Sequence, residues 1–144
     1  MDELNAAIGV VRSFLKEGHE WQQVLYNIQK NLMIVMSQVA TPSEIRVRNP
    51  NVLPAELIPL CEADDGYLER PGGNLSTAHC HLACSSARRA ERRLWALNKK
   101  DVLLPEILVF VNRLSDLFFV MARVAMQREG SLEEKWKSFT YKKK

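Results

Sequence analysis

Arg88, Arg89, Glu91, Arg92 and Arg93 fall within one short stretch. If that stretch is helical, Arg88 and Arg92 lie one turn apart, as do Arg89 and Arg93, so two guanidinium pairs project in different directions. Forked guanidinium donors match phosphate oxygens, which suits a polyphosphate clamp. The same run also suits a solvated helix face with local Glu–Arg pairs. Further along, Asn112 and Asp116, one turn apart with Arg113 beside them, interrupt an apolar sequence. Polar groups in such a place need partners, either on a neighbouring helix or in a ligand. His79, Cys80, His81 and Cys84 form a third cluster, in which Cys80 and Cys84 share a helix face and His81 is three residues from Cys84. A closed zinc site would need further ligands, such as Cys61 or His19, so helix packing is the preferred reading and no metal is expected. The Pro71-Gly72-Gly73-Asn74 loop precedes a helix start, where free N–H groups receive anions, although these residues also make an ordinary turn. No strand or Walker motif accompanies it, which excludes a P-loop or Rossmann site. No Ser-His-Asp or Cys-His-Asn arrangement can be defended.

The elements that must carry these residues are helices. Leu4, Ile8, Val11 and Leu15 repeat at helical spacing and predict a helix from Asp2 to about Leu15, ended by Gly18. Val24, Leu25, Ile28, Leu32, Val35, Met36 and Val39 predict a second from about Glu20 to Ala40, stopped by Thr41 and Pro42. Pro42, Pro50, Pro54 and Pro59 forbid one continuous helix after it, and the stretch reads as a crossover with a short helical piece near Ala55 to Ala63. Asp64, Asp65 and Gly66 make a turn. A third long helix is expected from about Ser76 to Asn98. The last, preceded by Asp101, has Pro105 near its first turn and Gly130 at its end, with Leu108, Val111, Leu114, Phe118, Met121 and Ala125 facing the core. Ser131 and Glu134 form a capping-box pattern that admits a short helix over Leu132 to Lys137, before the basic end Lys142 to Lys144. Trp21, Tyr26, Phe110 and Phe118 are expected in the core. No strand alternation competes, so the expected fold is all-α: a five-helix bundle of four long helices plus a short one, one domain spanning 1–144.

Composition agrees. The chain has 144 residues, of which 47% are hydrophobic and 26% charged, enough to bury a core. Lys plus Arg number 20 against 17 Asp plus Glu, and the resulting +3 does not mark a nucleic-acid binder. Asn112, Arg113, Asp116 and Arg123 break the longest apolar stretch, so no membrane span is expected. Three cysteines make no complete disulfide framework, and Met1-Asp2-Glu3 does not open a leader peptide, so a reduced, cytoplasmic setting is expected.

Four segments, in order, resemble one family. Asp2-Glu3-Leu4-Asn5-Ala6-Ala7-Ile8-Gly9, Pro71-Gly72-Gly73, Arg88-Arg89-Ala90-Glu91-Arg92 and Asn112-Arg113-Leu114-Ser115-Asp116 look like the signatures of ATP:cob(I)alamin adenosyltransferases of the propanediol-utilisation type. The resemblance covers nearly the whole chain and implies a five-helix bundle, a homotrimer, and an active site between subunits. It implies that MgATP (ATP with Mg2+) gives its adenosyl group to the cobalt of reduced cobalamin, releasing triphosphate. By this match Arg88 contacts ATP, and Glu91, Arg92 and Asn112 surround the nucleotide; Arg89 and Asp116 also match, mainly as links between helices. Asp2 matches an acidic residue that pairs with an arginine across the subunit interface.

The chain also departs from the family pattern. It begins at the Asp-Glu-Leu-Asn motif, without the Thr-Gly-Asp-x-Gly segment that wraps the ATP phosphates in the family. Cys84 replaces the arginine that pairs with the Asp2 position. Leu68 replaces a phenylalanine that lies over the corrin, with Tyr67 the nearest aromatic. Two readings follow: a corrinoid adenosyltransferase, or a catalytically impaired relative that binds a corrinoid or nucleotide or serves as an assembly subunit.

Overall fold

The computed structural model describes residues 1–54 and 74–130. Their order is α1 (Asp2–Phe14), α2 (Glu20–Ala40), α3 (Ser43–Arg46), α4 (Leu75–Asn98) and α5 (Pro105–Arg128). The expected short helices near Ala55 to Ala63 and Leu132 to Lys137, the turn at Asp64 to Gly66, and the Lys142 to Lys144 end lie outside the described residues.

Each long helix starts and stops for a local reason. Asp2 and Glu3 occupy the first turn of α1 and Arg12 its last, charges that complement the helix dipole. Gly18 takes φ 77°, a left-handed conformation that lets the chain reverse into α2. His19 caps α2, its Nδ1 accepting the Trp21 N–H at 3.1 Å. Gln22 then donates Nε2 to the Arg12 and Leu15 carbonyls at 2.9 and 3.1 Å, satisfying acceptors that the end of α1 would otherwise leave open. Asn74 caps α4, accepting the Thr77 N–H at 2.7 Å, and Pro105 fits the first turn of α5, where a missing N–H costs nothing.

Packing buries the apolar stripes. Leu4, Ile8 and Val11 of α1, Leu25, Ile28, Leu32 and Val35 of α2, and Leu108, Val111, Leu114, Phe118 and Met121 of α5 all enter one core. Phe110 is there too, and Trp21 packs against it half-buried. Tyr26 is not in the core, contrary to expectation. It is 51% exposed, its ring faced by the Arg12 guanidinium at 5.3 Å, and Val24 also turns outward. On α2 they flank Leu25 on opposite sides, each rotated about 100° from it around the helix, so both fall off the buried line from Leu25 through Ile28 and Leu32.

α4 and α5 run antiparallel. Thr77 Oγ1 donates to the Ala122 carbonyl and the Cys84 thiol to the Ser115 carbonyl, while Asn112 meets Glu91. Cys80, Ala83, Ala87 and Ala90 give α4 a buried stripe of small side chains, allowing close approach of its neighbours.

The short helix α3 was not anticipated. Pro42 starts it, its ring restricting φ to a value suited to a helix entry. Arg46, buried to 2% exposure, then spends its guanidinium on three partners: the Gln38 carbonyl, the Val102 carbonyl and the Asp101 carboxylate. Asp101 also accepts the Ser43 N–H at 3.2 Å. Hydrogen bonding from the Ser43 side chain first, then from Arg46, with a smaller part from the Ser43 N–H, holds its carboxyl below the usual range. The network ties the exit of α2 to the α4–α5 connection.

Candidate active site on the α4–α5 face

Cys84, Arg88 and Glu91 recur at steps of four and three along α4, and Asn112 and Asp116 lie one turn apart on α5. The antiparallel pairing brings the two rows together. Asn112 Nδ2 donates to Glu91 Oε1 at 3.0 Å, and Asn112's carbonyl accepts the Ser115 hydroxyl at 2.9 Å. That bond uses one N–H of the Asn112 amide and fixes its orientation, leaving the second N–H and the side-chain oxygen without a partner among the described residues.

Arg88 is exposed and makes no ion pair or hydrogen bond among the described residues; the same holds for Arg92. Arg88 and Asp116 both bear on the Cys84 thiol. Burial pushes that thiol up, while Arg88 pulls it down and Asp116 pushes it up again. The three residues are therefore electrostatic neighbours. Asp116 pairs with Arg113 on its own helix at 3.5 Å, with both side chains nearly half exposed, and makes no ion pair to α4 among the described residues. A partner three residues away on one helix face is the nearer choice for its ion pair, while its charge still bears on Cys84 of α4.

Arg89 does link helices, through an ion pair with Glu3 of α1. The two arginine pairs thus separate as their spacing required. Arg88 faces the α5 side, whereas Arg89 and Arg93 line a groove of about 510 Å³ between α1, the end of α2, and α4. Asp2 also lines that groove, while Cys84 does not.

The His-Cys cluster is dispersed by packing. His79 stacks on Phe14 with ring centroids 4.9 Å apart, His81 meets Phe119 edge-on, and Cys80 is wholly buried with its thiol pushed up to about 12 by burial. Cys80 and Cys84 are free thiols, and no group of three or more His, Cys, Asp or Glu among the described residues is placed to hold a metal. Leu68, Tyr67 and the Pro71-Gly72-Gly73 loop lie outside the described residues. Glu3 and Ser86 were missed by sequence reasoning. Ser86 is a small polar residue in a helix, and nothing in its neighbours signals a groove.

Among the described residues the architecture is an antiparallel helical bundle with exposed guanidinium groups beside a Glu–Asn pair, unlike the strand-and-loop nucleotide folds. Residues 1–125 match the family described as Cobalamin adenosyltransferase, and the chain belongs to that family. It is similar to the corrinoid adenosyltransferase of Mycobacterium leprae, with 34% identity over 140 residues, covering 86% of this chain and 73% of the relative. It is also similar to the corrinoid adenosyltransferase MMAB of Bos taurus, with 33% identity over 150 residues and 94% of this chain covered; the match spans 62% of that protein's length. The fold is similar to that of a variant PduO-type ATP:corrinoid adenosyltransferase from Lactobacillus reuteri complexed with cobalamin and ATP. There the TM-score is 0.81 at 25% identity, covering 95% of this chain and 82% of the other. Among the described residues no helix is long and apolar enough to cross a membrane.

Proposed function

We propose that the chain is a corrinoid adenosyltransferase, which moves the 5′-deoxyadenosyl group of ATP to cob(I)alamin and releases triphosphate. The observation that carries this reading is Arg88, which holds its donors unspent beside the Glu91–Asn112 hydrogen bond in a member of the cobalamin adenosyltransferase family. In the reaction a cobalt–carbon bond forms as the ribose C5′–oxygen bond of ATP breaks, and the electron pair leaves with the triphosphate. Negative charge therefore grows on the departing oxygen, where preorganised cations are most effective. Arg88, with Arg92 one turn on, supplies that charge. Glu91 orients Asn112, whose free oxygen accepts from a ligand N–H or hydroxyl. Mg2+ enters with ATP and is given no protein ligand in this reading.

Leu68 and Tyr67 are assigned to the corrin side, where apolar bulk keeps water from cobalt. The working unit is a homotrimer of the single 1–144 domain, in which a neighbouring copy closes the exposed α4–α5 face. A cytoplasmic setting is supported by the two buried free thiols, with no nucleic-acid or membrane partner.

A second reading, a binding relative with impaired catalysis, draws support from Cys84. The family's cationic position here holds a thiol that burial keeps neutral and that bonds to the Ser115 carbonyl. An anaerobic assay with chemically reduced cob(I)alamin and MgATP separates the two. Adenosylcobalamin formation above a protein-free control is expected, and no product with ATP or corrinoid binding still measurable would select the second reading.

A further inference from the structure

The groove between α1, the end of α2 and α4 faces away from the Glu91–Asn112 pair and has a composition of its own. Leu4, Val39, Leu94 and Leu97 make it apolar, and Arg89, Arg93, Asp2 and Glu3 ring it. Its volume of about 510 Å³ lies within the range of small-molecule sites.

The four charges are not equivalent. Asp2 and Glu3 occupy the first turn of α1, where the positive end of the helix favours acidic side chains. Glu3 also takes Arg89 as an ion-pair partner. Arg93 is left without a counter-ion among the described residues. A second, independent feature lies in the same wall. Ser86 is 3% exposed, and its buried hydroxyl has no hydrogen-bond partner among the described residues. A helical serine ordinarily returns its hydroxyl to a carbonyl of the preceding turn, and a buried one without any partner is uncommon.

We propose that this groove is a second ligand site, for an amphipathic monoanion with an apolar body and one carboxylate. The apolar body lies against Leu4, Val39, Leu94 and Leu97. The carboxylate takes the Arg93 fork, and the Ser86 hydroxyl donates to it or to a polar atom next to it. None of its residues belongs to the α4–α5 cluster, so binding here is read separately from transferase activity; Asp2, which the family resemblance places at a subunit interface, is assigned no contact with the ligand.

The test uses the full chain with sodium octanoate as probe and octanamide as its uncharged counterpart, followed by calorimetry and by amide chemical shifts. Octanoate should bind saturably at one site, shifting amides of residues 86–97, and octanamide at least tenfold more weakly. Arg93→Gln, an exposed substitution that leaves the core intact, should weaken octanoate about tenfold, and Ser86→Ala a few-fold, with unchanged melting temperatures in both. Absence of saturable octanoate binding would overturn the proposal. Equal affinity for octanoate and octanamide, or an Arg93→Gln variant that binds as well as the parent, would overturn it too.

Discussion

Arg46 and Arg88 are both arginines close to a carboxylate, yet they are opposites. Arg46 is buried, and its donors go to Gln38, Val102 and Asp101, all within the chain. Arg88 is exposed beside Cys84, Asp116 and the Glu91–Asn112 pair, and its donors go to nothing among the described residues. The first arrangement is what a structural charge needs, since a buried cation is tolerated only when paired and fully hydrogen-bonded. The second is what a ligand-binding charge needs, because a donor already spent inside the protein cannot be offered to phosphate. Chain position and residue type do not distinguish them; partner count does.

That contrast can be broken most sharply at Arg88. Arg88→Ala should lower kcat for adenosylcobalamin formation by about 10²- to 10³-fold, the typical cost of one preorganised charge-stabilising donor, while its melting curve overlays the parent's. Arg46→Ala should do the reverse. With two backbone carbonyls losing their donor, stability should fall by about 3 kcal/mol, read as a melting temperature lower by roughly 10 °C, with the activity of the folded fraction retained. A smaller effect is expected at the oriented pair. Glu91→Gln or Asn112→Ala should reduce kcat/KM about tenfold, the scale of one hydrogen bond that positions a ligand contact.

The smallest effect is a pH dependence. Burial lowers the pKa of His81 from its ordinary 6.5, and its Nε2 has no hydrogen-bond partner among the described residues. The unfolded chain therefore takes up this proton before the folded one does. His81 should contribute stability above pH 6.5 that is lost as the pH falls through the lower folded value. His81→Phe should flatten this part of the stability profile in denaturant titrations between neutral pH and pH 5; an unaltered slope would assign it to other groups.

The sequence made the long helices legible because each carries a complete stripe and its own punctuation. The expected bounds, about Glu20 to Ala40 and an end near Asn98, agree with α2 and with the end of α4. The arginine run was legible as two pairs on two faces, since helical spacing alone dictates that separation. What was not legible depends on residues far apart in the chain. Arg46 sits among prolines and looks like any surface cation; its burial is set by Asp101 and Val102, which arrive only when α4 turns into α5. Tyr26 read as core on its aromatic type, yet its place one residue past Leu25 and two before Ile28 turns it off the buried stripe. The groove at Ser86 required three helices to meet.

The central claim is that the unspent donors of Arg88 are held for the phosphates of ATP. Calorimetric titration of MgATP into the parent chain, Arg88→Gln and Arg46→Ala at one fixed salt concentration tests it most directly. The account predicts saturable binding to the parent, weakened at least tenfold by Arg88→Gln and kept by the folded fraction of Arg46→Ala. Parent and Arg88→Gln chains with equal affinity, or a folded parent that does not bind MgATP, would contradict it.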